Sequence, residues 1–460
     1  MEFIENRTFD ELSVGDCASL ARTLTKSDIE LFAVMSGDVN PAHLDEEYAR
    51  SDIFHKIIAH GMWGGALIST VLGTMLPGPG TIYLGQTLRF RRPVAVGDTI
   101  TVTVSVAARD PEKHRVTLDC TCSNQAGEAV ITGSAEVIAP TEKVKRPRMD
   151  LPQVLLRDRG ANYRGIVTRA AGLEPVRTAV VNPVDPAALR GALQAYEIGL
   201  IVPVLVGPAA ALRAVAEQAG LVIAGLELID TGDGRTAVAR SVAMARAGEV
   251  EALVDYGARY YGLLRELVDR TTGLSDHRWI SHVHVLDVPN YPRPLFITDA
   301  GLSIAPTLEE KRAIVQNAID LARALGVEQP KVAVLAAVQT INPKLRSTLD
   351  AAALCKMTDR GQIVGGVVDG PLAFDEAVSE DAAAAAGLSS PVAGRADILV
   401  APDLETGTLL VKQLDHLADA QSAGVLVGAR VPVALPDLAG NPDSSLVACA
   451  MAAIMAHAAT

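Results

Sequence analysis

Aromatic side chains make up only 4% of this chain, so its cores must be filled by Ala, Val, Leu and Ile rather than by large rings. Cysteine is scarce as well. The five present, at positions 17, 120, 122, 355 and 449, are odd in number and widely scattered, which does not fit a disulfide framework. Cys120 and Cys122 straddle one residue of an expected strand and share a face. Without a second pair they read as buried thiols rather than metal ligands, and His282 and His284 read the same way. Positive charge is in deficit, with 41 Lys and Arg against 54 Asp and Glu for a formal net charge of −13. With no long basic block either, a general nucleic-acid or acidic-membrane partner is excluded, and any phosphate must be gripped locally. No apolar run approaches the roughly 18 residues of a membrane span, and Met1 to Glu5 is acidic where a secretory signal would be basic. The expectation is a soluble, cytoplasmic protein. Its 49% hydrophobic content rules out a disordered chain, and at about 100–200 residues per domain its 460 residues make two to four domains.

The chain divides near residues 140–150. Pro140 to Arg148 packs two prolines and four cations into nine residues, which reads as a linker that cannot continue a sheet. The expected domains are residues 1–140 and 161–460, joined by a linker over 141–160. In the first, Thr25 and Asp28 stand at capping-box spacing before a helical period carried by Ile29, Phe32 and Ala33, and Gly37 stops it. An almost uncharged helix is predicted from about Gly61 to Leu76, followed by alternating strands near 82–90, 99–107, 115–123 and 129–138. Such a pattern suggests a curved sheet wrapped on the second helix. After the linker, short β-branched runs alternate with Ala-rich helical stretches, the pattern of parallel α/β units. The expected strands there are Thr178–Val181, Val202–Val206, Leu221–Leu226, His282–Val288, Lys331–Leu335 and Asp397–Val400.

Chemistry concentrates in two stretches of the first domain, Ser36 to Asp45 and His60 to Ser69. Gly37 and Pro41 are expected to keep Asp38 through His43 out of regular helix, so that a carboxylate and an imidazole aim at one point. Sharing one water, such a pair can take its proton and return one to carbon. Gly61 opens the long helix, where a free amide and the positive end of the helix dipole can hold a thioester oxygen. His60 reads as a structural helix-entry residue, and Trp63 and Met62 as candidates to cap an acyl pocket.

At these residues the chain resembles the MaoC-like (R)-specific enoyl-CoA hydratases of the hotdog superfamily. The resemblance rests on Asp38, Asn40, Pro41, His43, His60, Gly61 and Ser69, extends to Leu76–Gly80 and Arg92–Val94, and covers roughly residues 10–138. It implies that Asp38 and His43 activate water, that the Gly61 amide receives the thioester oxygen, and that Ser69 orients either Asp38 or the substrate. The implied reaction is syn hydration of a trans-2-enoyl-CoA to the (R)-3-hydroxyacyl-CoA, with a homo-oligomer of at least two subunits and the site near the subunit interface.

Residues from about 175 to 460 are similar to the phosphate acetyl/butyryltransferase family. This is carried by Pro203–Pro208, Pro292–Asp299, Ser347–Met357, Asp369–Asp375 and Ala396–Asp403, running on to Gly407 and Lys412. The fold class implied for the whole chain is an α+β hotdog domain followed by an α/β phosphotransacylase-like domain of two subdomains. The implied chemistry is acyl transfer between coenzyme A and phosphate. Asp369, Asp403 and Lys412 are the candidate substrate-binding residues, and helix capping and turn formation explain them equally well.

This chain departs from that family at two cationic positions. Leu438 stands where a phosphate-gripping arginine belongs, and Asp255, Tyr256 and Gly257 replace a lysine-bearing step. Losing a bidentate phosphate partner costs on the order of 1.5–3 kcal/mol. Arg259, Arg278 and Arg293 are candidates to compensate. The readings are therefore a bifunctional enzyme, a hydratase whose second domain is a coenzyme A-binding or oligomerisation scaffold, and a non-catalytic coenzyme A ester sensor that an intact Asp38, His43 and Gly61 disfavour. The expected ligands are acyl-CoA thioesters, with coenzyme A as part of the substrate and phosphate as co-substrate. No metal and no tightly bound cofactor are expected.

Overall fold

The computed structural model describes residues 3–151, 154, 156, 160–257, 261–269, 271–275, 278–437 and 444–459. The chain separates into two compact units, Met1–Arg157 and Asp158–Thr460.

In the first unit, strands Cys17–Thr23, Thr99–Asp110, Arg115–Ser123, Ala129–Ile138 and Ile82–Phe90 lie side by side in that order. All neighbours are antiparallel. Alternate residues such as Val102, Val104 and Val106, or Val116, Leu118, Cys120 and Cys122, are buried on one face. Against that face packs the helix Gly61–Thr74, whose Trp63, Leu67, Ile68, Val71 and Leu72 join the same apolar cluster. Small residues permit the close approach. A Cβ on Gly64 would lie 2.3 Å from Ile131 Cδ1.

The Thr25–Asp28 capping box is present, and Gly37 ends the helix Lys26–Ser36 in the left-handed region at φ 74°. Two expectations need correction. Pro41 does not exclude helix. It opens a single turn, Pro41–Leu44, because proline suits the first helical position and Asn40 caps the turn. Nor is all of 141–160 a spacer. Lys145–Pro147 pairs antiparallel with Phe3–Glu5, and the Asn6 side chain donates to Glu142 O and accepts from Val144 N. A proline on a two-stranded edge removes no interior ladder bond.

The second unit holds an eleven-stranded sheet. One wing, Glu227–Asp230, Ile201–Gly207, Val176–Val181, Ala252–Asp255 and Val433–Leu435, is parallel. The other, Leu295–Thr298, Ile398–Val400, Lys331–Leu335 and Val367–Leu372, is parallel too. Antiparallel strands Gln421–Val427 and Ser281–Asp287 join the wings. These are the two α/β subdomains, with parallel strands buried on both faces as helical crossovers require. The expected strand Leu221–Leu226 is absent. Its apolar residues seal the end of helix Ala209–Ala219, where Leu221 N donates to Ala216 O, and the strand begins only after Gly225 turns the chain at φ 90°.

Candidate active site

The loop after Gly37 is held by its own side chains. Asp38 N donates to Ser36 Oγ at 3.2 Å, Asn40 N donates to Asp38 Oδ1 at 3.2 Å, and Ala42 N donates to Asn40 Oδ1 at 3.1 Å. Each is a short-range turn bond that a loop can make without a sheet behind it. His43 follows on the turn. Its Nδ1 lies 2.9 Å from Ile58 O. A carbonyl can only accept, so Nδ1 carries the hydrogen and Nε2 of the neutral ring presents a lone pair.

His60 approaches from the other stretch. It is 3% exposed, its Nε2 donates to Asp38 O at 3.1 Å, and its ring stacks on His43 with centroids 3.9 Å apart. Polar atoms of Asp38, His43 and His60 all lie within 4.8 Å of one another. Among the described residues these three form the one group whose donor types and spacing could hold a metal ion.

Gly61 begins the helix directly after His60. Its N–H is among the four at a helix start that no intrahelical carbonyl can accept. Beside it opens a cavity of about 320 Å³ whose lining includes His43, His60, Gly61, Trp63, Phe90 and Arg92. The volume suits a short acyl group. A Cβ on Gly61 would lie 3.0 Å from Phe90 Cε1, so the missing side chain keeps this corner open.

The predicted residues are not all gathered there. Asp38 and Ser69 are exposed, and neither lines this cavity in the single chain. Ser69 sits eight residues along the helix from Gly61, roughly 12 Å away. Trp63 forms wall, whereas Met62 is exposed. The sequence reading missed the contacts of His60 with Asp38 and His43, which arise only in three dimensions. It missed Arg91, and it took Arg92 only as part of the family pattern without placing it at the cavity, although two adjacent cations before Pro93 were a visible signal.

In the second unit the three candidates stand apart. Asp403 caps helix Leu404–Leu417, accepting from Thr406 N at 2.8 Å. It lines a cavity of about 840 Å³ at the carboxyl ends of Lys331–Leu335 and Ile398–Val400, together with Ser347 and with Lys311 and Arg346, the last two of which sequence did not single out. Lys311 Nζ reaches Asp350 Oδ2 at 2.8 Å in a buried pair. Lys412, nine residues beyond Asp403, is exposed and pairs with Asp437 at 3.1 Å. Asp369 Oδ1 accepts from Gly370 N, closing its own turn, and does not line the large cavity.

The expected cationic gap has structure around it. Burial raises the carboxyl pKa of Asp255, which accepts from Gly257 N at 2.8 Å, and Tyr256 Oη meets Ser445 Oγ at 2.9 Å. Arg278 pairs with Asp320 and Arg293 with Asp397. Leu438 and Arg259 lie outside the described residues.

The first unit is thus a hotdog sheet wrapped on a helix, with a carboxylate and two imidazoles beside that helix's start, and the second is an α/β sheet of two wings. Residues 17–125 match the family described as MaoC like domain, and residues 234–454 match Phosphate acetyl/butaryl transferase. A phosphate acetyltransferase of Rhizobium meliloti is 47% identical over 296 residues, spanning 64% of this chain and 94% of that protein. The structure of a branched-chain phosphotransacylase from Enterococcus faecalis V583 aligns over 61% of this chain and 99% of its own, with 26% identity and a TM-score of 0.54. An unliganded R-hydratase from Pseudomonas aeruginosa is 46% identical, covering 34% of this chain and 99% of its own, with a TM-score of 0.33. The chain belongs to the phosphate acetyl/butyryltransferase family and carries a MaoC-like hotdog domain ahead of it.

Proposed function

We propose that the first unit catalyses the reversible syn hydration of a trans-2-enoyl-CoA to the (R)-3-hydroxyacyl-CoA. The observation that carries this reading is the meeting of Asp38 and His43 beside the amino end of the helix that starts at Gly61. Water held between the Asp38 carboxylate and His43 Nε2 loses a proton to one of them as its oxygen adds to C3. The group that took that proton delivers it to C2 from the same side, which makes the addition syn, while the other holds the water by a hydrogen bond. The Gly61 amide holds the thioester oxygen as negative charge develops on it. Arg92, at the cavity, suits the coenzyme A phosphates. Exposed Asp38 and Ser69, with exposed Val34, Met35 and Val39 nearby in sequence, are groups that a second subunit would cover in a homo-oligomer.

For the second unit, acyl transfer between coenzyme A and phosphate is the reading supported by its 47% identity to a phosphate acetyltransferase. A scaffold that has lost transfer is the second reading. It is favoured by Lys412, whose ammonium is engaged by Asp437, and by an inward-turned Asp255 in place of a cation.

Two assays on the purified chain separate the readings. Crotonyl-CoA should lose its enoyl absorbance, and acetyl phosphate with coenzyme A should form thioester only if the second unit is competent. Hydration without thioester formation selects the scaffold. Activity in neither assay rejects the hydratase and leaves a coenzyme A ester sensor.

A further inference from the structure

His60 is buried, yet only half of its ring is used. Nε2 donates to Asp38 O, while Nδ1 is buried with no hydrogen-bond partner among the described residues. The ring lies between Phe32, with centroids 4.9 Å apart, and His43, at 3.9 Å. An imidazole with one nitrogen stranded away from water carries a desolvation cost that an apolar residue at this helix entry would avoid. What it gains is contact with both halves of the proton-transfer pair. It holds Asp38 by that residue's own carbonyl, which limits how the carboxylate can turn, and it backs the face of the His43 ring. Ile58 O fixes the edge of that ring and His60 fixes its plane.

We propose that His60 is a positioning residue for the hydratase reaction, acting through its Nε2–H on the Asp38 loop and through its ring on His43. The hydrogen it uses sits on Nε2, where Asp38 O accepts it, and it acts through these two contacts rather than by moving a proton. This inference rests on the hydratase reading above.

Three variants of the full chain test it. His60→Phe keeps a ring in the stack and removes the donor. Its kcat for crotonyl-CoA hydration is expected to fall about 10²-fold with KM within about twofold, the scale of loss that small misplacement of reacting groups produces. Its melting temperature should equal or exceed that of the starting protein, because the stranded nitrogen is gone. His60→Gln restores a donor near the Nε2 position and should recover about tenfold of the loss, the worth of one ordinary hydrogen bond. His60→Ala removes both contacts and should be the slowest.

A second measurement is independent of turnover. The imidazole ¹⁵N spectrum of His43, assigned by its disappearance in His43→Gln, should show the single Nδ1–H tautomer in the starting protein and a tautomer mixture in His60→Ala. A His60→Phe enzyme within twofold of the starting rate overturns the proposal. So does a rate loss that tracks a lowered melting temperature, or a His43 spectrum unchanged in His60→Ala. If the starting protein does not hydrate crotonyl-CoA, the hydratase reading fails, while the His43 spectra still decide whether His60 positions the ring.

Discussion

Asp38 and His43 are five residues apart, and in the proposed reaction one holds the water while the other takes its proton and returns it to carbon, so neither can stand in for the other. Asp38→Asn and His43→Ala are each expected to lower kcat by about 10²–10⁴-fold while the far-ultraviolet circular dichroism stays unchanged, since Asp38 is exposed and His43 half-buried on a short turn outside the apolar core. Either variant at near-starting rate removes the role assigned to it. Gly61 tests the amide. In Gly61→Ala the new methyl meets Phe90 at 3.0 Å, and the ring must shift into the cavity corner. Hydration should drop at least tenfold with thioester formation by the second unit unaffected. The turns of this loop were legible in sequence because the Asp38 and Asn40 side chains bond within it, whereas the Ile58 carbonyl that holds His43 lies 15 residues away. The second unit's charges were not, because Lys412 is engaged by Asp437 and Lys311 by Asp350, partners 25 and 39 residues away that only the fold brings near. A sequence shows the cation and not what neutralises it.

The strands of the first sheet were legible from alternation, since one face packs on the helix Gly61–Thr74 and the other does not. Strand Ile82–Phe90 departs from that rule. Among the described residues it is paired only with Ala129–Ile138, and Ile82, Tyr83, Leu84 and Phe90 are all exposed on it. An apolar edge strand left open invites pairing with another chain. Light scattering on the full chain is therefore expected to give at least twice the monomer mass. Ile82→Lys together with Leu84→Lys should weaken association and lower hydration in parallel, because a second subunit is proposed to complete the site. A monomeric starting protein that hydrates at full rate refutes both halves of that expectation. The misplaced strand at Leu221–Leu226 shows where the period fails. Leu221, Ile223 and Leu226 pack against the core from a helix end and a turn, and an apolar run alone cannot tell that packing from a ladder.

Among the described residues the first unit has an apolar cluster of its own, and the second has three, the largest running from Tyr163 to Ile454. Each unit is long enough to fold on its own core, and calorimetry at pH 7 is expected to show two transitions, one of them reproduced by residues 1–157 alone. Acid should separate them. Burial pushes the His284 pKa down to about 4, and burial beside His284 pushes that of His282 well below its usual range. Unfolding returns both to a pKa near 6.5, so below that value the unfolded chain binds protons that the folded unit refuses. The stability of the second unit is thus complete above about pH 6.5 and falls as the pH drops toward 4. Between pH 7 and pH 5 its transition should move to lower temperature by more than that of residues 1–157. Replacing His284 by Gln, which cannot take up a proton in this range, should reduce the shift. One cooperative transition at pH 7 would contradict independent folding, and a second transition insensitive to pH would show that these histidines are not the groups that titrate.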